Sequence, residues 1–177
     1  MMEQLLRKCE YVALNPKETV NDYVKNHNMK AIGIGMPIGP EELVDAAGML
    51  PVGLWGGYDV EYDLAKQYFP AFAASVSFAI LELALNGTYD MLSGITMPGL
   101  SDTLNCLAQN LEAGVKKYPI LFVAYPQNRL IPCGIEFLKS ELEAFKKKLE
   151  AIKGGEITEE AIKRSIGIYN EHKKVMR

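Results

Sequence analysis

Ala31-Ile32-Gly33-Ile34-Gly35, followed closely by Gly39-Pro40-Glu41-Glu42-Leu43-Val44, is the stretch on which the fold turns. Its first five residues are apolar without alternation, too short for a helix and edged by glycine, which is the pattern of a strand buried on both faces. The second piece reads as a helix start. Proline suits the first helical position, and two carboxylates favour the positive helix end. Leu43, Val44, Ala46 and Ala47 carry the helix to Gly48, a natural stop.

Downstream, the alternation continues. Leu50 to Trp55 is a second extended piece closed by Gly56-Gly57, and Asp63 to Tyr68 reads as a helical turn. Pro70 is expected to open a long apolar helix, Ala71 to Leu85, crowded with small residues in its first turns. Met91 to Met97 reads as a third strand broken by Pro98-Gly99, and Ser101-Asp102 caps a helix running to about Lys116. Pro119 to Tyr125 is the fourth strand and residues 126–132 a loop. Ile135 to Ile152 is a long amphipathic helix stopped by Gly154-Gly155, and Thr158-Glu159-Glu160 starts a last helix. Upstream, residues 3–27 read as helical with a break at Asn15-Pro16. Leu5, Leu6, Cys9, Val12 and Ala13 form an apolar stripe there, and Thr19 is expected to cap a second piece from Val20 to Lys25.

Strand–helix alternation of this kind predicts an α/β fold: a parallel, four-stranded, Rossmann/flavodoxin-like three-layer sandwich with N-terminal and C-terminal helical extensions. Residues 1–28 are the N-terminal helical segment, 29–153 the α/β domain and 154–177 the C-terminal helix. The strand-to-helix loops 35–41, 97–102 and 125–132 share one edge of the sheet, where ligands sit in open α/β folds.

Composition narrows the function. The net charge of −3 supplies no phosphate-neutralising surface, so nucleic acid is not an expected partner. No apolar run reaches the ~20 residues that span a bilayer, so no membrane is expected either. Three cysteines without a CxxC pair suit a reducing cytoplasm. The glycines at 33, 35 and 39 spell GxGxxxG, not the dinucleotide fingerprint, and there is no P-loop. His27 and His172 have no partner at metal spacing and read as surface residues. Cys9 and Cys106 read as small core residues, and Cys133 as a loop thiol with no visible base. The residues by themselves offer a ligand edge and no catalytic set, so the catalytic residues stay unassigned.

A resemblance adds to this. Pro40-Glu41-Glu42-Leu43-Val44-Asp45-Ala46-Ala47-Gly48-Met49-Leu50-Pro51-Val52, Gly53-Leu54-Trp55-Gly56-Gly57 and Asp63 through Ala73 occur in order, with Tyr89-Asp90-Met91-Leu92-Ser93-Gly94 and Pro98-Gly99-Leu100-Ser101-Asp102-Thr103-Leu104 after them. Pro126-Gln127-Asn128-Arg129 and Tyr169-Asn170-Glu171-His172 complete the series. Together they resemble the β subunit, or D component, of the 2-hydroxyacyl-CoA dehydratases, enzymes of anaerobic amino-acid fermentation such as the 2-hydroxyglutaryl- and 2-hydroxyisocaproyl-CoA dehydratases. The resemblance implies a lyase subunit for radical elimination of water from a 2-hydroxyacyl-CoA. It also implies a related subunit as heterodimer partner (a homo-oligomer being the other option), an ATP-dependent activator and a [4Fe–4S] cluster held by cysteines. On the shared loop edge the substrate-facing candidates are Met36, Pro37, Glu41, Gly99, Ser101, Asp102, Tyr125 and Gln127.

Two departures stand against full activity. The family's cluster cysteines fall on Ala74 and Ser101 of this chain. Alanine has no donor atom, and a serine hydroxyl is a poor substitute for a thiolate. No cluster is therefore expected in this chain, and alone it is expected to be inactive. Residues 154–177 are expected to begin a second domain. The alternative is a cluster-free paralogue or fragment that serves as an assembly module.

Overall fold

The computed structural model describes residues 2–177 apart from Pro37 and Tyr58. Helix α1 (Met2–Leu14) and helix α2 (Pro16–His27) precede strand β1 (Ala31–Gly35), helix α3 (Glu41–Ala46) and strand β2 (Leu50–Leu54). A short 3₁₀ turn, Ala65–Gln67, leads to helix α4 (Ser75–Leu85), strand β3 (Gly94–Gly99), helix α5 (Asp102–Gly114) and strand β4 (Ile120–Ala124). Helices α6 (Pro132–Lys153) and α7 (Glu159–Val175) end the described chain.

The four strands form one all-parallel sheet in the order β2-β1-β3-β4. This is the expected α/β arrangement, with helices on both faces. All five residues of β1 are buried, as befits an inner strand. Side chains alternate across the sheet. Ala31, Ile95 and Met97 join Phe78, Ile80, Leu107 and Leu111 under α4 and α5. Ile32, Ile34, Leu121 and Val123 meet Val44, Phe145, Leu149 and Ile157 under α3, α6 and the approach to α7. The chain leaves β1 toward β2 on one side and returns past it to β3, so the order reverses between β1 and β3. In open α/β sheets, ligand crevices form at such a reversal, at the carboxyl ends of the strands.

Several expected boundaries move, each for a physical reason. Helix α2 starts at Pro16 rather than behind Thr19; the proline takes the first position, and the Thr19 hydroxyl donates instead to the Asn15 carbonyl at 2.8 Å. Helix α4 starts at Ser75, not Ala71: Ala73 N closes a turn on the Pro70 carbonyl at 3.0 Å, and extended Ala74 is the N-cap. Pro98 and Gly99 do not break β3 but belong to it, paired with Val123 and Ala124. On the other side β1 pairs with β3 only as far as Thr96, so no neighbour asks for the N–H that proline lacks. Cys9 and Cys106 are exposed rather than in the core, as is Cys133, which lies in the first turn of α6 rather than in the loop.

Candidate functional site

Three strand ends supply the expected edge. After β1 the chain turns through Met36, held at φ 48° with its amide donating to the Leu54 carbonyl at 3.3 Å. Left-handed backbone is uncommon for a side chain of this size. Pro37 lies outside the described residues. After β3, Ser101 caps α5, its hydroxyl accepting from Leu104 N at 3.3 Å. After β4, Ala124 N donates to Glu141 of α6 at 3.0 Å, which sets where Tyr125 and the exposed Gln127 leave the sheet.

The residues of this edge fall into two groups rather than one. The first gathers where α7 lies against α3. Glu41 sits beside Tyr169, with Glu42, His172 and Lys173 close by. Burial, reinforced by the charge of Glu42, pushes the Glu41 carboxyl above its ordinary value, while Tyr169 and Lys173 pull it back. Burial likewise raises the Tyr169 and Tyr125 phenols, with Glu41 the next cause for Tyr169 and Glu42 for Tyr125. Lys173 closes this corner on Glu42 at 2.9 Å. The sequence reading missed Tyr169 and Lys173 as neighbours of Glu41, because no local spacing links α7 to α3.

The second group surrounds a recess of about 500 Å³ between the segment before α4 and the first turns of α5. Tyr68, Phe72 and Ala74 form one wall; Asp102, Cys106 and Asn110 form the other. Ser101 stands at its rim as the residue before Asp102. Helical spacing puts Asp102, Cys106 and Asn110 on one side of α5, and that four-residue recurrence is the signal in the sequence that singles out Cys106. The segment leading into the facing wall is held from both α4 and α5. Glu82, buried in the apolar helix α4, accepts from Leu64 N at 2.9 Å and Ala65 N at 2.8 Å. Asn110 Nδ2 donates to the Tyr68 carbonyl at 3.1 Å. A lone glutamate in so apolar a run needs such partners, and that was the sequence signal for it.

The donor chemistry of this recess does not suit an iron–sulfur cluster. Clusters are held by several thiolates, and Cys106 is the single thiol on its walls. The Ser101 hydroxyl is already engaged as a cap. Among the described residues no set of three or more His, Cys, Asp or Glu side chains converges on a metal position. No described helix is long and apolar enough to cross a membrane.

A parallel α/β domain with a titratable seam at α3 and α7 and a recess beside α5 is the class that fold and geometry define. Comparison with known proteins narrows it. The family profile described as "2-hydroxyglutaryl-CoA dehydratase, D-component" matches residues 38–177, and the chain belongs to that family. It is 46% identical over 162 residues to the (R)-phenyllactyl-CoA dehydratase beta subunit of Clostridium sporogenes, covering 92% of this chain and 43% of that one. It is 41% identical over 177 residues to the lactoyl-CoA dehydratase subunit beta of Anaerotignum propionicum, covering 99% and 46%. With the (R)-2-hydroxyglutaryl-CoA dehydratase subunit beta of Acidaminococcus fermentans the identity is 38% over 174 residues, covering 98% and 46%. The chain thus spans less than half the length of each of these relatives.

Proposed function

We propose that this chain is a cluster-free, β-subunit-like domain of a 2-hydroxyacyl-CoA dehydratase, active only in company with a related subunit. The observation that carries this is that Cys106 is the single thiol on the walls of the recess; the family resemblance, which implies cluster cysteines at the places of Ala74 and Ser101, supports the same reading. The relatives named above act on phenyllactyl, lactoyl and 2-hydroxyglutaryl thioesters of CoA. Their common element is the 2-hydroxyacyl-CoA, and that is the substrate class assigned here. The chain's own contribution is positional: the turn after β1 and the cap of α5 border the crevice where the thioester end would lie, with Met36, Gly99, Ser101 and Asp102 nearest. Electron delivery by an ATP-dependent activator belongs to the complete assembly. Three exposed, unpaired cysteines fit a reducing cytoplasm.

The test is anaerobic reconstitution with iron and sulfide, followed by dehydration assays with a partner subunit and activator. The wild-type chain is expected to stay colourless and to eliminate no water alone. The double variant Ala74→Cys/Ser101→Cys is expected to take up more iron and sulfide than wild type. Stoichiometric iron and sulfide on the wild-type chain, with visible charge-transfer absorbance, would sink the proposal. A second reading, an assembly module with no part in dehydration, is favoured by the exposed apolar surface of α1 and α6. It predicts that adding the chain leaves the rate of a complete dehydratase unchanged.

A further inference from the structure

Helix α7 is fastened in two different ways along its length. Its first turns are apolar where they meet the core: Ala161 and Ile162 pack against the cluster of Phe145 and Leu149, and Ser165 is fully buried. From Ile166 onward no residue of α7 is buried, and Ile166 and Ile168 are 44% and 54% exposed. What holds this second half to α3 is polar. The Tyr169 hydroxyl hydrogen-bonds the Glu41 carboxyl, and Lys173 pairs with Glu42 at 2.9 Å. Asp45, one turn beyond Glu41, is close enough to act on the Tyr169 phenol. Its Oδ2 is buried without a partner.

Charge across this seam is unbalanced. Glu41, Glu42 and Asp45 place three carboxylates on a helix of six residues. Among the described residues, α7 sets one permanent cation against them, Lys173, and Glu42 takes it. His172 is the other basic group beside Glu41. The neighbouring cations are engaged elsewhere: Lys174 with Glu171 at 2.5 Å, Lys139 with Glu143 at 3.8 Å, Lys146 with Glu150 at 3.2 Å, and Arg129 beside Tyr125. Glu41 is thus half-buried, next to a like charge, and bonded to a neutral hydroxyl rather than to a cation of its own. A carboxylate so placed is relieved either by holding a proton or by returning to water.

We propose that the second half of α7 is a proton-dependent strap: it lies on α3 while the Glu41 carboxyl carries a proton and lifts as that carboxyl ionises. The sign follows from burial. Closing the strap buries Glu41 and favours its neutral form; lifting it returns the group to water, where the ion is favoured. Closure therefore takes up a proton, and it weakens as pH rises through the closed-state value. Ile166 stands where the two halves meet and lines the apolar groove with Pro40 and Leu43, so lifting widens that groove at its α3 end. The strap stands independently of the dehydratase reading, since none of its residues lines the recess at Ala74.

Amide hydrogen exchange of the full chain from acid to neutral pH tests this, read as protection factors so that the intrinsic pH dependence of exchange divides out. In the wild type, protection of residues 167–173 is expected to fall several-fold toward neutral pH relative to Ile32 and Ile34 of β1. Glu41→Gln, which cannot ionise, is expected to lose that fall. Lys173→Met is expected to lower protection of the same residues at neutral pH and to keep the fall, because it removes a fastening and not the proton site. His172→Gln is expected to keep the fall as well. Protected β1 amides in each variant show that the fold is intact. Protection of residues 167–173 that ignores pH would overturn the proposal, as would a fall that survives in Glu41→Gln or vanishes in His172→Gln. So would a fall shared equally by Ile32 and Ile34, which would mark opening of the whole domain.

Discussion

The two faces of the sheet are closed by different means. Under α4 and α5 the cover is almost purely apolar: seven of the eleven residues of α4 are buried, and its one buried charge, Glu82, is satisfied by two backbone amides. Under α3, α6 and α7 the cover is thinner and more polar. Helix α7 buries only Ser165. Buried polar atoms without a partner occur on both faces, Ser165 Oγ, Thr96 Oγ1 and Asp45 Oδ2 here and Ser77 Oγ, Asn105 Oδ1 and the Tyr118 hydroxyl under α4 and α5. It is held to α3 in part by Lys173 and Glu42. One face is a conventional core. The other leaves an apolar groove at its rim and titratable groups at its seam.

The sharpest way to break this comparison is to cut into both cores. Phe145→Ala on the polar-seamed face should cost roughly 3–5 kcal/mol and Ile80→Ala on the other roughly 2–5 kcal/mol. Both side chains are essentially inaccessible, and both losses should appear in one cooperative urea transition. Two separate transitions would show the faces to be independent units. Next in size is Glu82→Ala, which leaves Leu64 N and Ala65 N without their acceptor. A loss of roughly 2–3 kcal/mol is expected, with faster amide exchange at those two positions and partial recovery in Glu82→Gln. Unchanged exchange there would refute the clamp.

The smallest effect is in pH dependence, where two glutamates of the polar-seamed face act oppositely. Glu41 is raised, chiefly by burial. Its contribution is therefore full below the unfolded carboxylate value and is lost as pH rises through the higher folded one. Glu150 is lowered, chiefly by the hydrogen bond from Ile157 N at 2.9 Å. Its contribution is present above the unfolded value and is lost as pH falls through the folded one. Glu41→Gln should gain on wild type toward neutral pH, and Glu150→Gln should lose on it. Unfolding free energies from acid to neutral pH check both signs; parallel curves would reject them.

Much of the fold was legible because its strands are short apolar runs between glycine and proline. Ala31–Gly35 reads as buried from composition, and Ser101 and Thr158 read as caps from residue type, as the structure bears out. Pro98 misled because a proline's meaning depends on whether a neighbour needs its N–H, and the end of β1 is not visible locally. The start of α4 misled because Ala71 to Ala74 have helical propensity but serve as the wall of a recess. Cys9 was read as core because periodicity reports that a stripe exists and not what covers it. At the loop edge, the sequence named residues from three connections; the structure sets Glu41 and Tyr125 near the α3–α7 seam and Asp102 on the recess beside α5. Long-range packing of α7 onto α3 decides that division, and it leaves no short-range trace.

The clamp on Leu64, Ala65 and Tyr68 has a consequence for how such a chain can change over time. Glu82 and Asn110 hold Leu64, Ala65 and Tyr68 through main-chain groups, so the course of that segment does not depend on the side chains at residues 72–74. Side chains at residues 72–74 can therefore change without disturbing the hydrogen bonds that fix the segment before them.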